Sequence, residues 1–254
     1  MSAGVPGPLL FARYAYPPNA LGLCGADLPL TLLQYGDARE SDEGLGNIAR
    51  TFDGAWPYLA LIAEANRIED PLDARVVEAY WVGNELLDRV RPAALARHVD
   101  ERFRGRIGRA QDRILDVVAG GATPHHAFHV FAVYPWLGLL RTGVVDEPLR
   151  ILDLCRTTPA LVRAVDGDSL EVLARPLLWV GGLLRLGPPA ARAVRWRDGG
   201  RGFVDRPAPG DLVSLHWDFA CDVLTPASAR RLEHVTAQAL NGVNRSQAAA
   251  AALG

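Results

Sequence analysis

Gly210-Asp211-Leu212-Val213-Ser214-Leu215-His216-Trp217-Asp218-Phe219-Ala220-Cys221 is the stretch whose reading decides the fold. Pro207 and Pro209 stiffen the approach, and Gly210-Asp211 is a turn pair. Beyond it Leu212, Ser214 and His216 alternate with Val213, Leu215 and Trp217, so the two sets leave opposite faces of a strand. One face is apolar and the other ends in an imidazole. After Cys221 a helix is expected from Thr225-Pro226, where threonine can cap and proline suits the first helical position. A histidine at the end of such a strand, on the rim of a small barrel, is well placed to meet a metal or a partner.

Upstream of this stretch the same period of two begins after Cys155. Leu161, Arg163 and Val165 oppose Val162 and Ala164, Asp166-Gly167-Asp168 turns the chain, and residues 170–174 return. Residues 176–186 and 190–197 are further strand candidates, punctuated by Gly181-Gly182, Gly187-Pro188-Pro189 and Asp198-Gly199-Gly200. Short strands at close turn spacing predict a small barrel. Downstream, the last helix places Leu232, Val235, Thr236, Ala239 and Leu240 on one side.

Before Cys155 the period is helical. Residues 8–16 suit a short helix that Tyr16-Pro17-Pro18-Asn19 should break. Residues 27–36 suit one capped by Asp27 and stopped by Gly36, and another starts at Ser41. Further helices are expected over residues 56–68, from Asp70-Pro71, from Arg91-Pro92 and over residues 107–118. Thr123-Pro124 should open the next, setting His125 and His129 on one face, with His126 beside them. Asp146-Glu147-Pro148 starts a last helix that ends near Cys155. The expectation is therefore an α+β protein. An all-helical N-terminal domain, residues 1–154, precedes a small OB-like β-barrel with a C-terminal helix, residues 155–244, and a flexible tail, residues 245–254.

The strand-and-turn pattern resembles the small nickel–iron hydrogenase maturation chaperones of the HypC/HupF type. Their second half carries a Gly-Asp turn, an apolar strand ending in Val-His, then x-Gly-Phe-Ala and a helix. Gly210-Asp211, His216, Phe219 and Ala220 fall in register, and Asp218 stands where that family usually has glycine. Their first half opens with cysteine, three residues, proline and an apolar strand to an Asp-Gly turn. This chain has Cys155-Arg156-Thr157-Thr158-Pro159, then Ala160-Leu161-Val162-Arg163-Ala164-Val165-Asp166-Gly167. The resemblance covers about the C-terminal third, to Leu240, and leaves the helical domain without a role. It implies an accessory protein rather than an enzyme. Such a protein carries or hands over an iron–cyanide–carbonyl unit, or docks the large-subunit precursor, with Cys155 and His216 as the metal residues. It further implies that Pro159, Asp218 and Phe219 meet a partner, the partners being the hydrogenase large-subunit precursor and the maturation scaffold protein. In that family the cysteine sits near the chain start, whereas Cys155 is internal.

The residues also admit other chemistry. A thiolate is a soft ligand favoured by nearby positive charge such as Arg156, and imidazole binds nickel as well as zinc. His125, His126 and His129 could hold a transition metal of their own, as in a metal-dependent enzyme. Cys24 and Cys221 are weaker candidates of the same kind. Each of these side chains also has a structural reading, as a buried small residue or a satisfied core histidine. A structural adaptor without ligand chemistry is the plainest alternative. No phosphate loop, dinucleotide fingerprint, nucleophile elbow or CxxC occurs in the 254 residues. A net charge of -2 with scattered arginines argues against nucleic acid as partner. Three widely spaced cysteines suit a reducing cytoplasm, and no signal peptide or membrane-length apolar run is present, so a soluble cytoplasmic protein is expected.

Overall fold

Helical periodicity before Cys155 becomes a run of helices in the structure, a computed structural model that describes residues 4–103 and 109–252. They are α1 (Gly7–Ala20), α2 (Pro29–Ala38), α3 (Glu43–Arg50), α4 (Trp56–Asn66), α5 (Ala74–Trp81), α6 (Pro92–Phe103) and α7 (Arg109–Ala119). A single turn, α8 (His126–Phe128), continues as a π-helical turn (His129–Val133), and α9 (Trp136–Arg141) and α10 (Asp146–Cys155) follow. Among the described residues no strand precedes Thr158. Ile107, the expected start of α7, lies outside the described residues.

Several helix ends differ from expectation for local reasons. Residue Leu28, with no side-chain cap, precedes α2; Gly36 lies inside it, because a Cβ there would meet the Phe203 ring at 2.1 Å. Asp42 rather than Ser41 caps α3, accepting from the Leu45 N–H. Asp73 rather than Asp70 caps α5. Most consequential is α1, which runs through Pro17 and Pro18 to Ala20 instead of breaking at Tyr16. It is buried on nearly every side, and its C-terminal half packs on the strands, with the Tyr16 ring 5.3 Å from both Phe203 and Phe219. The Asn19 amide then pins the following loop, donating to the Cys24 and Ala26 carbonyls.

The strands are β1 (Thr158–Asp166), β2 (Ser169–Ala174), β3 (Leu177–Val180), β4 (Leu183–Leu186), β5 (Ala190–Arg195), β6 (Arg197–Asp198), β7 (Arg201–Gly202), β8 (Leu212–His216) and β9 (Phe219–Leu224). β1 pairs antiparallel with both β2 and β8, β2 with β5, and β8 with β9. β5 meets β9 in parallel at Arg195 and Phe219. The hairpins β3–β4 and β6–β7 pair only within themselves. Val213 and Leu215 join Val162, Val172, Val194 and Trp196 in a cluster inside the strands. Their neighbours Ser214 and His216 leave the other face, as the alternation predicts, and meet α1.

The second core runs from α1 to the last helix, α11 (Pro226–Ala252), and includes Phe219, Cys221 and Leu224 of β9. Helices and strands thus share this second core. Tyr14 and Ser214 hydroxyls lie 2.8 Å apart across this contact, and the Arg13 guanidinium pairs with the buried Asp222 carboxylate. Leu232, Val235, Thr236, Ala239 and Leu240 are buried along α11, on the side that their spacing predicts. The helix continues to Ala252 through most of the expected tail, alanine being the strongest helix former. Residues 253 and 254 lie outside the described residues. No helix among the described residues is long and apolar enough to cross a membrane.

Candidate metal centre

The β8–β9 connection is a two-residue turn, Trp217-Asp218, with φ of 49° and 56°. Positive φ at both positions marks a type I′ hairpin turn, which usually draws on asparagine and glycine. A bulky residue there is strained and has to be held. The hold is visible: the Trp217 N–H donates to the Leu154 carbonyl at 2.8 Å. That bond ties the end of β8 to the end of α10. It brings His216 against Cys155, sixty-one positions away in the chain.

His126 completes the group. One ligand atom each from His126, Cys155 and His216 lies within 4.8 Å of the others, and all three residues are buried. Three ligands about 2.0–2.3 Å from one tetrahedral ion stand about 3.3–3.8 Å apart, so these atoms are neighbours that would draw in by up to about 1–1.5 Å to share an ion. The His126 and His216 ring centroids are 5.1 Å apart. The Trp81 ring packs against both, at 4.4 and 5.3 Å.

Hydrogen bonds set the histidine tautomers. The His216 Nδ1 lies 2.7 Å from the Tyr14 carbonyl oxygen, which can only accept, so Nδ1 carries the proton. That carbonyl is open because its helical donor would be residue 18, and Pro18 has no N–H. The proline pair thus leaves the acceptor that orients His216. Its Nε2 is buried and makes no hydrogen bond of ordinary geometry among the described residues, although the Cys155 backbone is near enough to raise the ring's proton affinity. The His126 Nε2 donates to the Cys155 carbonyl at 2.8 Å, and its Nδ1 faces the Tyr80 hydroxyl at 3.2 Å.

Burial keeps the group uncharged. It pushes the His216 imidazole down to about 4 and the His126 imidazole well below the ordinary histidine value, with the neighbouring His216 adding to the second effect. It pushes the Cys155 thiol up to about 12, with the Trp217 indole N–H acting in the opposite sense. Two neutral imidazoles and a thiol are a donor set for a soft or borderline cation, whose charge would displace the thiol proton. The three residues line a cavity of about 300 Å³ that is otherwise walled by Phe52, Trp81, Trp136, Trp217 and other largely apolar side chains.

Restoring the amide at position 18 tests the tautomer argument. Pro18→Ala should let a backbone N–H compete for the Tyr14 carbonyl and free His216 Nδ1. The expected result is a shift of the His216 ring nitrogens away from a single Nδ1–H form in nitrogen NMR. An unchanged spectrum would separate the proline from the tautomer.

The other sequence candidates fall elsewhere. His125 is the cap of α8, its Nδ1 accepting from the Ala127 N–H at 3.0 Å, so it shares no helical face with His129. Thr123-Pro124 is not the helix start. His129 lines the cavity with its Nδ1 3.2 Å from the Tyr58 hydroxyl, and Cys24 lines it too. The three histidines therefore divide, and His126 alone joins Cys155 and His216. Cys221 is fully buried, its thiol held up by burial and Asp222. Pro159 sits half-buried in β1 beside Ser214. Asp218 pairs with Arg192 at the surface. Phe219, expected at a partner contact, is 1% exposed and packs between Tyr16 and Phe203, so it is a core residue instead. Trp217, Trp81 and Tyr80 enter the site without having been singled out. The one sequence signal for them is the unusual Trp-Asp pair at a turn.

No curated protein and no solved structure matches the chain. A family model matches residues 3–250, nearly the whole length, and the chain therefore belongs to a family of unknown function, DUF6390.

Proposed function

We propose that the protein is an accessory protein of nickel–iron hydrogenase maturation that holds an iron–cyanide–carbonyl unit on Cys155 and His216, with His126 as a further ligand. The observation that carries this reading is the convergence of the three ligand atoms within 4.8 Å. Cys155 and His216 are the two residues that the HypC/HupF resemblance matches to metal ligands, from motifs far apart in sequence. Two further features support it. The ring β1-β2-β5-β9-β8, returning to β1, has the pairing order of a closed OB-like barrel, with β3–β4 as an added hairpin. Asp218, where the resembling family has glycine, takes a φ of 56° that glycine adopts freely.

In this reading the cargo's charge lowers the thiol's hold on its proton, and Cys155 binds as thiolate. His216 binds through its bare Nε2 while Nδ1–H stays on Tyr14. His126 can release Nδ1, because the Tyr80 hydroxyl has a second acceptor in the Gly54 carbonyl at 3.1 Å. The indole N–H of Trp81, buried without a partner among the described residues, can donate to cyanide nitrogen, while that of Trp217 faces the Cys155 sulfur. The apolar wall excludes water that would compete for the iron. The hydrogenase large-subunit precursor would receive the unit, and the maturation scaffold protein would supply it.

Infrared spectroscopy tests the proposal. Protein isolated from cells that build the unit should show cyanide and carbonyl bands with one iron per chain. A second reading, a metal-dependent enzyme, draws on the same convergence, since three protein ligands leave a position open for water or substrate. Stoichiometric zinc retained through purification, with no such bands, would favour it.

A further inference from the structure

The triad leaves two soft side chains of the same cavity unused. Cys24, His129, Gly54 and Tyr134 line the cavity and also line a more open groove of about 620 Å³, whose wall includes Asp53 and Arg102. These residues border both spaces. His129 is 4% exposed, and its Nε2 has no partner among the described residues. Cys24 is half-buried. Both ligand atoms face Gly54: a Cβ on that residue would stand 3.5 Å from the His129 Nε2 and 3.9 Å from the Cys24 Sγ. A residue without a side chain thus leaves a small gap that both the thiol and the imidazole nitrogen face. The His129 Nδ1 lies 3.2 Å from the Tyr58 hydroxyl, and where Nδ1 donates to that oxygen the Nε2 lone pair faces the gap.

We infer that Cys24 and His129 form an outer metal-binding station, a thiolate–imidazole pair through which a soft or borderline metal ion passes to His126, Cys155 and His216. This rests on the reading of the triad as a metal site. At the station the Cys24 sulfur gives up its proton to the outer groove and bonds the metal, while His129 Nε2 adds a second bond. On transfer these two bonds break as bonds to Cys155 and His216 form. Cys155 loses the thiol proton and Cys24 regains one, so charge balances and no electron changes hands. Thiolate and imidazole ligands suit such ions better than magnesium or calcium.

Cobalt(II) titration under reducing conditions, followed by its thiolate charge-transfer absorption in stopped flow, reads both sites on the full chain. With Cys155→Ala and His216→Gln together, one cobalt–thiolate absorption should remain, and adding Cys24→Ser should remove it. Cys24→Ser with His129→Gln should fill the triad to the wild-type endpoint but at least about 10-fold more slowly, the lower end of what losing a supporting ligand group does. Gly54→Ala keeps every ligand and adds a methyl group at ordinary contact distance from both atoms, so it should slow filling in the same way. Wild-type rates in both of these variants, or no cobalt–thiolate absorption in the Cys155→Ala, His216→Gln protein, would overturn the station. Cobalt held by Cys24 with the triad silent would overturn the proposed function and the transfer step together, leaving Cys24 and His129 as a metal site on their own.

Discussion

Cys155→Ala is expected to give a folded protein from which the cyanide and carbonyl bands are gone. The fold should survive because little is removed. Cys155 ends α10, and its backbone carbonyl, which accepts from His126, stays in place. The lost sulfur faces an existing cavity, so the loss of stability should be about 1 kcal/mol. Binding should not survive, because the thiolate is the soft, strongly donating ligand of the triad and the two imidazoles do not replace it. His216→Gln should be milder and weaken binding about 10- to 100-fold, since His126 and Cys155 remain. Iron content and infrared band intensity per chain measure both effects, with thermal melting as the check on folding. Full bands in the Cys155 variant would sink the role proposed for the triad.

The legible part of this site was its pair of strand-end motifs. Cysteine, three residues, proline and a period-two run mark the entry to β1. The Gly-Asp turn and alternation to His216 mark β8. Both are local patterns, and both survive in the structure. The third ligand was visible as a histidine but not as a partner, because what joins His126 to Cys155 is tertiary. A π-helical turn after α8, the tie from Trp217 to Leu154 and the open carbonyl of Tyr14 all contribute. The Pro17-Pro18 pair departs from the sequence expectation for a related reason. Proline rules describe the cost to a helix standing alone. In α1 the surrounding core holds the backbone, and the missing N–H becomes an acceptor site for another residue. His125 shows the same limit at smaller scale, since Thr123-Pro124 has the ideal composition for a helix start while the imidazole makes the cap.

Acid should unfold the metal-free protein more steeply than its carboxylates alone would dictate. His125, His126, His129 and His216 are all 5% exposed or less. Burial holds His125 and His129 down to about 3, His216 to about 4, and His126 well below its ordinary value. In the unfolded chain each returns to about 6.5. Their contribution is therefore complete above that value and is lost as pH falls from about 6.5 toward the folded values, because only the unfolded state takes up the protons. Each such histidine removes about 1.4 kcal/mol per pH unit inside this window, so four together remove about 5 kcal/mol per unit. A domain stable by about 5–15 kcal/mol would be exhausted within one to three units below pH 6. Asp222 and Glu78 work the other way, since burial raises both carboxyls and the folded state gains those protons first, but Arg13 opposes the first shift and the Asn84 amide the second. Denaturant titrations between pH 7 and 4.5 measure the slope directly. His125→Asn removes one of the four protons while keeping a side chain that caps α8, and should lower the slope by about a quarter. Stability that stays flat from pH 7 to 5, or a His125→Asn slope equal to the wild-type value, would show that these histidines are not held neutral in the folded chain.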